Sequence, residues 1–135
     1  MRTSTDTFHL AIPCYDLDEA QHFYVTLLGC KLARRYADRI TLDFFGDQVV
    51  CHLCDPATRP AAPESMYPRH FGVTFREAAD FERLHKLAEM RKVPFYSDLA
   101  VRFEGLVEAH RTFVLRDPSD NLLEFKHYDD PRMMY

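Results

Sequence analysis

The sequence lacks any apolar run of the roughly 20 residues that a membrane-spanning helix requires. The opening residues, 1–6, also lack the apolar core of a signal peptide. Basic residues are in deficit, because 17 Lys and Arg stand against 21 Asp and Glu, and they are scattered rather than gathered into a stripe. This balance disfavours a phosphate-backbone partner. We therefore predict a cytoplasmic protein with neither a membrane nor a nucleic acid as its partner.

Cysteine is limited to four positions. The four cysteines lie inside apolar segments, which favours reduced core or pocket thiols in a reducing compartment; they are Cys14, Cys30, Cys51 and Cys54. The last two form a C-x-x-C pair, but no second pair follows at the spacing of a zinc ribbon. A strand would also send these two thiols to opposite faces, so we do not expect a structural zinc site.

Strand and helix patterns occur in the same order twice, within a length that suits one domain. The first copy predicts strands at 8–13, 31–36, 40–45 and 48–54, with a helix between the first two that begins at the N-cap Asp16 and ends at Gly29. The second copy predicts strands at 70–75, 93–96, 112–116 and 122–128, with a helix at 79–91. Both copies read β-α-β-β-β, which predicts an α+β fold.

The chain therefore divides into segments of one domain, 1–135. Module one spans about 6–55, a proline-containing linker 56–67, module two about 68–128 and an apolar tail 129–135. Residues 97–111 are predicted to form a long loop between two strands of module two. Such a loop can cover a ligand, and an ordinary surface loop is the alternative.

The stretch 112–128 contains the most informative sequence. Asp117-Pro118 followed by Ser, Asp and Asn between two apolar runs predicts a tight turn with a positive φ at an Asp or Asn. The strand after the turn carries Glu124 between Leu123 and Phe125, which have the character of core residues. A carboxylate in such a place needs a partner or a metal.

Strand alternation places further metal-ligand side chains on the face that the helices leave uncovered. Four strands, two from each module, each offer one such residue: His9, His52, His70 and Glu124. Imidazole and carboxylate together suit Fe, Mn, Ni or Zn as a divalent metal, and such a site leaves positions open for a substrate. The alternative is a set of unrelated strand residues on a solvated face.

The two modules, the histidines that open them, and the run from Arg116 through the Asp-Pro turn to Glu124 resemble the vicinal oxygen chelate superfamily. This superfamily includes glyoxalase I, the bleomycin and fosfomycin resistance proteins and the extradiol dioxygenases. The resemblance covers about 8–128. It implies that the two βαβββ modules form a cupped mixed sheet, the glyoxalase/bleomycin resistance/dioxygenase fold, with a metal in the cup.

The resemblance also implies the site residues. His9, His70 and Glu124 match the ligand positions of the family, and His52 falls where glyoxalase I carries a fourth ligand, there a carboxylate or an amide. Glu124 is in addition a candidate general base. His110 is a second candidate acid or base if its strand extends backward, and a loop histidine otherwise.

Two departures from the family pattern bear on the activity. Asp120 stands where family members often have glycine, and no tyrosine precedes the Asp-Pro turn as it does in extradiol dioxygenases. Our leading hypothesis is a metal-dependent enzyme, a lyase or a dioxygenase, acting on a small molecule with vicinal oxygens. The alternatives are a metal-free sequestering protein of the bleomycin resistance type and a fosfomycin-type thiol transferase. We expect a homodimer, and the sequence leaves open whether the cup closes within one chain or across two.

Overall fold

Each half of the chain follows the order strand, helix and three strands in a computed structural model that describes all 135 residues. The halves are unit 1, Met1–Ala62, and unit 2, Pro63–Tyr135. Each unit contains one four-stranded mixed sheet. The predicted α+β class with two βαβββ modules is therefore confirmed. No helix of either unit is both long enough and apolar enough to cross a membrane.

Unit 1 contains β1 (His9–Cys14), α1 (Leu17–Gln21), β2 (Lys31–Arg35), β3 (Arg39–Phe44) and β4 (Asp47–Leu53). Its sheet has the order β1-β4-β3-β2, in which β1 runs parallel to β4 and the other pairs are antiparallel. The predicted N-cap is confirmed, because the Asp16 side chain accepts hydrogen bonds from the backbone N–H groups of Asp18 and Glu19. A π-helical segment, His22–Leu27, continues α1, and Gly29 follows with φ 80°.

Burial along β1 shows which face packs on the helix. Ile12 and Cys14 are buried, whereas His9 and Pro13 are exposed, as the alternation predicts. Phe8 has the same parity as Ile12 but is 52 % exposed, because it precedes the strand. His9 therefore lies on the face that α1 leaves uncovered.

The core of unit 1 also holds a thiol that the sequence assigned to it. Cys30 is 6 % exposed, and burial raises the pKa of its thiol to about 12, with a smaller contribution from the negative charge of Asp43. A thiol with so high a pKa is almost wholly protonated near neutral pH, so it is a structural group and a poor nucleophile.

Unit 2 contains β5 (Phe71–Phe75), α2 (Ala78–Met90), β6 (Phe95–Arg102), β7 (His110–Arg116) and β8 (Leu122–Tyr128). Its sheet has the order β5-β8-β7-β6, with β5 parallel to β8. On the helix side, the ring of Phe81 in α2 lies 5.3 Å from that of Phe113 and 6.3 Å from that of His127. Odd-numbered residues of β7 and β8 therefore face α2, and even-numbered residues face away.

The predicted loop at 97–111 is wrong over most of its length. β6 continues to Arg102 and β7 begins at His110, so only 103–109 connect them. All residues from Ser97 to Arg102 are exposed, and the pairing of β6 with β7 shifts between Ser97 and Ala100. The sequence therefore contains no buried alternation that could have marked this half of the strand.

Candidate metal-binding site

The turn before β8 is held by one buried carboxylate. Asp117 is 3 % exposed, and its Oδ1 accepts hydrogen bonds of 2.8 Å from the backbone N–H groups of both Ser119 and Asn121. Its Oδ2 accepts a third, also of 2.8 Å, from the side-chain amide of Asn121. Asp120 adopts φ 65°, so the predicted positive φ is confirmed. Asp117 thus fixes where β8 starts, two residues before Glu124.

A close approach of β5 fixes the backbone of Glu124. Gly72 lies directly opposite Glu124 in the parallel pairing. A Cβ atom added to Gly72 would lie 1.7 Å from the carbonyl oxygen of Glu124 and 2.6 Å from its carbonyl carbon. No side chain fits at that distance, so only glycine lets the two strands pack this closely.

The carboxylate of Glu124 is 7 % exposed and has three partners within unit 2. Its Oε1 accepts a 2.9 Å hydrogen bond from the hydroxyl of Thr112 on β7. Its Oε2 lies 3.2 Å from Nε2 of His70 and 3.0 Å from Nζ of Lys126. The predicted need of this carboxylate for partners is met by one hydroxyl, one imidazole and one ammonium group.

His70 is oriented from its other ring nitrogen. Its Nδ1 lies 2.9 Å from the backbone carbonyl oxygen of Met66, which can only accept a hydrogen bond. In the neutral form of the imidazole, its one N–H is on Nδ1 and the lone pair is on Nε2, the nitrogen that lies next to Oε2 of Glu124. A second partner that fixes the tautomer in this way is typical of histidines that bind metals.

The geometry of this pair fits two ligands of one divalent ion. Donor atoms that each lie about 2.1 Å from an ion, at roughly a right angle, are about 3 Å apart. The separation of Nε2 of His70 from Oε2 of Glu124 is 3.2 Å. Within neither unit do three His, Cys, Asp or Glu side chains form a group that could hold a metal by itself. Unit 2 therefore offers two donors, with Lys126 as a cation beside them.

In unit 1, His9 and His52 lie far apart. Nδ1 of His9 donates to Oε1 of Gln48 across a distance of 2.6 Å, which leaves the lone pair of His9 on Nε2. His9 pairs with Gln48 and His52 with Pro13, so four residues of strand, roughly 13 Å, separate the two histidines. Two imidazoles at that separation are too far apart to bind one ion. The pairing therefore argues against one ion held by both His9 and His52, and the assignment of His52 as a ligand stays a prediction.

His110 is the first residue of β7 and is 7 % exposed. It pairs with Tyr128, and its ring centroid lies 4.5 Å from that of Tyr128. The pairing of Val114 with Glu124 puts His110 on the same face as the carboxylate, as its parity indicated. Four residues of strand, about 13 Å, separate the two positions. Its role as an acid or base stays a prediction.

The sequence puts Lys126 on the face of Glu124, but the contacts of Lys126, Thr112 and Gly72 with Glu124 were not predicted. Thr112 and Lys126 could have been found, because Lys126 is two residues from Glu124 on the same strand face and Thr112 is opposite Lys126. Gly72 had no comparable signal, since its role depends on how closely β5 packs against β8. Gln48, the partner of His9, was not predicted from the sequence either.

Two surface clefts involve other residues of the units. One, of about 560 Å³, is lined only by unit 1, and its Asp18 and Arg35 are paired with each other at 2.6 Å. The other, of about 640 Å³, lies between the end of α2 and β6 and includes His85 and Asp98. Because α2 covers the opposite face of the sheet from Glu124, this second cleft is separate from the carboxylate.

Comparison with known proteins identifies the family of this fold. The family model of the Glyoxalase/Bleomycin resistance protein/Dioxygenase superfamily matches residues 7–125. No curated protein matches the sequence significantly. A crystal structure of a glyoxalase/bleomycin resistance protein/dioxygenase from Alicyclobacillus acidocaldarius is 67% identical, with 100% of both chains covered and a TM-score of 0.93.

More distant structures share the fold alone. The fosfomycin resistance protein FosX from Listeria monocytogenes is 13% identical over 99% of this chain and 100% of its own, with a TM-score of 0.70. The lactoylglutathione lyase from Agrobacterium tumefaciens is 17% identical over 93% and 96%, with a TM-score of 0.65. Since the family model matches nearly the whole sequence, the chain belongs to the Glyoxalase/Bleomycin resistance protein/Dioxygenase superfamily.

Proposed function

We propose that the chain is a metal-dependent enzyme of the glyoxalase/dioxygenase type that acts on a small molecule with vicinal oxygens. Members of the superfamily commonly use divalent metals and act on small molecules. The observation that carries the proposal is the pair formed by His70 and Glu124, in which Nε2 of the imidazole and Oε2 of the carboxylate lie 3.2 Å apart and Nδ1 is held by the carbonyl of Met66. The resemblance assigns His9 to the same metal.

The residues of unit 2 around this carboxylate have separate roles in the proposed function. A bound divalent metal would supply Lewis-acid stabilisation of negative charge on the substrate oxygens. Thr112 holds Oε1 of Glu124 in place, so Oε2 would be the oxygen that holds the ion or accepts a proton from the substrate. Met66 keeps the imidazole of His70 from rotating, through its carbonyl group.

Metal content tests the proposal. Protein purified without added metal should contain about one divalent ion per chain by elemental analysis. His70→Ala and Glu124→Gln should each lower the affinity for that ion by at least about 100-fold, because each removes a direct ligand. His9→Ala should do the same if the assignment from the resemblance is correct. Circular dichroism of every variant verifies that the fold is kept.

Two histidine variants serve as matched controls. His22→Ala, at an exposed position of the first helix, and His52→Ala, four residues of strand from the position of His9, should bind metal as the natural sequence does. The proposal would be refuted if the natural protein and the variants His70→Ala and Glu124→Gln all had the same, near-zero metal content.

One observation favours the second candidate, a metal-free binding protein. The ammonium group of Lys126 lies 3.0 Å from Oε2 and neutralises the carboxylate without any ion. Treatment with a chelator separates the two candidates. A sequestering protein would keep its affinity for its ligand after the treatment, whereas an enzyme of the proposed type would lose its activity.

We also propose that the chain forms a homodimer, as members of the superfamily often do. Large apolar side chains are exposed along the second half of β6 and the loop that follows, and they provide surface for such a contact: Leu99, Val101, Phe103, Leu106 and Val107. Sedimentation equilibrium should give twice the mass of one chain. The mass of a single chain at all concentrations tested would contradict the dimer.

A further inference from the structure

We propose that the substrate carries an anionic group, a carboxylate or a phosphonate, and that Lys126 binds it beside the metal. This inference rests on the proposed metal-dependent function and names the chemical class of its substrate. It starts from a conflict at one atom. Oε2 of Glu124, which the proposed metal would bind, is already in contact with the ammonium group of Lys126 at 3.0 Å.

A metal ion at Oε2 changes the surroundings of Lys126. Two positive charges on the ion and one on the ammonium group would then compete for a single carboxylate oxygen at close range, where like charges repel strongly. The side chain of Glu124 is 8 % exposed and cannot move away, whereas that of Lys126 is 28 % exposed and flexible. Lys126 is therefore the group that leaves, and it then lacks a counter-ion.

Strand pairing shows what surrounds the released ammonium group. Thr74 on β5 and Thr112 on β7 lie directly opposite Lys126, so the three side chains form one row on the same face as Glu124. We call this set the lysine row. It lies two residues, or roughly 7 Å, along β8 from the position of Glu124. The hydroxyl proton of Thr112 is already donated to Oε1 of Glu124, so the ammonium group and the hydroxyl of Thr74 are the donors that this row offers to a small oxyanion.

The next row along β8 also contains a positively charged side chain. Arg102 on β6 pairs with His110 on β7, which in turn pairs with Tyr128 on β8. These pairings put Arg102 on the face of Glu124, two further residues from the lysine row. Neither row contains a carboxylate. A substrate whose oxygens bind at Glu124 and whose other end extends along β8 would thus meet only neutral and positive groups.

Paired probe molecules test the inference on protein loaded with Zn(II), which has no redox chemistry. The probes share a catechol, which supplies vicinal oxygens, and differ in one substituent: 3,4-dihydroxybenzoate, 3,4-dihydroxyphenylphosphonate and the uncharged 3,4-dihydroxybenzamide. Calorimetry should show that the natural protein binds at least one of the anions about tenfold or more tightly than the amide. The anion that binds more tightly shows whether the negative group of the substrate is a carboxylate or a phosphonate.

Variants of Lys126 assign the preference to its charge. Lys126→Met should reduce the tenfold ratio to about one, and Lys126→Arg, which keeps the charge, should retain most of it. Lys86→Met is the matched control, because Lys86 is exposed on α2 on the other side of the sheet, and this variant should keep the full ratio. Lys126→Met should also bind Zn(II) about three- to tenfold more tightly, since the competing ammonium group is gone.

The outcomes separate this inference from the function on which it rests. Zn(II) binding that depends on His70 and Glu124, together with equal affinities for anion and amide, would overturn the anionic substrate and leave the metal site standing. A tenfold preference that persists in Lys126→Met would also overturn the role of Lys126. A natural protein that binds no divalent metal would overturn both proposals.

Discussion

Gly72→Ala is expected to destabilise unit 2 by about 3 kcal/mol or more and to weaken metal binding at least tenfold. The added Cβ would lie 1.7 Å from the carbonyl oxygen of Glu124, a backbone atom of a paired strand. Relief requires β5 and β8 to move apart by more than 1 Å, roughly, and close-packed interiors resist such shifts. The shift would occur at the residue that carries the carboxylate. Thermal unfolding and calorimetric metal titration measure the two effects.

Gly105→Ala is the matched control for this change. Gly105 belongs to the same unit and has φ 82°, but a Cβ there would meet nothing within 4 Å. It should cost about 1 kcal/mol, from the left-handed backbone alone, and leave metal affinity unchanged. If Gly72→Ala were no more destabilising than this control and bound metal normally, the close approach of β5 to Glu124 would be refuted.

Asp117→Ala is expected to cost about 3 kcal/mol of unfolding free energy. The change removes the acceptor for the backbone N–H groups of Ser119 and Asn121 and for the side-chain amide of Asn121, in a turn where Ser119 is buried and Asn121 half-buried. Each buried donor left without a partner costs about 1–3 kcal/mol. Denaturant unfolding measures the loss. Because β8 begins at Leu122, metal affinity should fall as well.

A double variant shows whether the hydrogen bonds themselves are responsible. Asp117→Asn keeps an acceptor oxygen but turns its amide toward the amide of Asn121, and should cost about 1–2 kcal/mol. Adding Asn121→Asp restores a donor opposite an acceptor and should recover most of that loss. Asp120→Gly, in the same turn, should be neutral or slightly stabilising because glycine adopts φ 65° freely. A double variant no more stable than Asp117→Asn alone would contradict this account.

The architecture was predictable because its signals are local. The helix start at Asp16 follows from its short acceptor side chain, and the turn at Asp117 follows from residue types that favour such backbones. β8 was predicted at its observed bounds, since its inward and outward residues differ in polarity. The face of His9 and Glu124 followed from alternation alone.

Other parts of the fold could not be predicted from the sequence. The second half of β6 is exposed on both faces, so its sequence has no burial pattern that would distinguish a strand from a loop. The π-helical segment after α1 keeps its apolar residues on the inner side as an α-helix would, and its extra residue per turn is decided by packing. Leu53 has the same parity as the buried Val49 and Cys51, yet it is 43 % exposed at the end of β4.

The candidate site was predictable only as a set of residue types. Parity brought His70 and Glu124 to one face, but their separation depends on the side chain of His70 reaching diagonally across to β8. The same parity grouped His52 with His9, although the β1–β4 pairing puts them at opposite ends of the strands. Alternation determines the face of a residue and says nothing of its position along the strand.

The identical strand order of the two sheets has a consequence for how the chain evolved. His9 is the first residue of β1, and His70 directly precedes β5. Two positions after His9, Ala11 pairs with Val50, and two positions after His70, Gly72 pairs with Glu124. Val50 is thus the counterpart of Glu124. This is the pattern expected of a duplicated segment whose copies diverged, because strand order supports a whole core whereas one side chain can change alone. The two copies share their strand order, and only the second has an acid at this position.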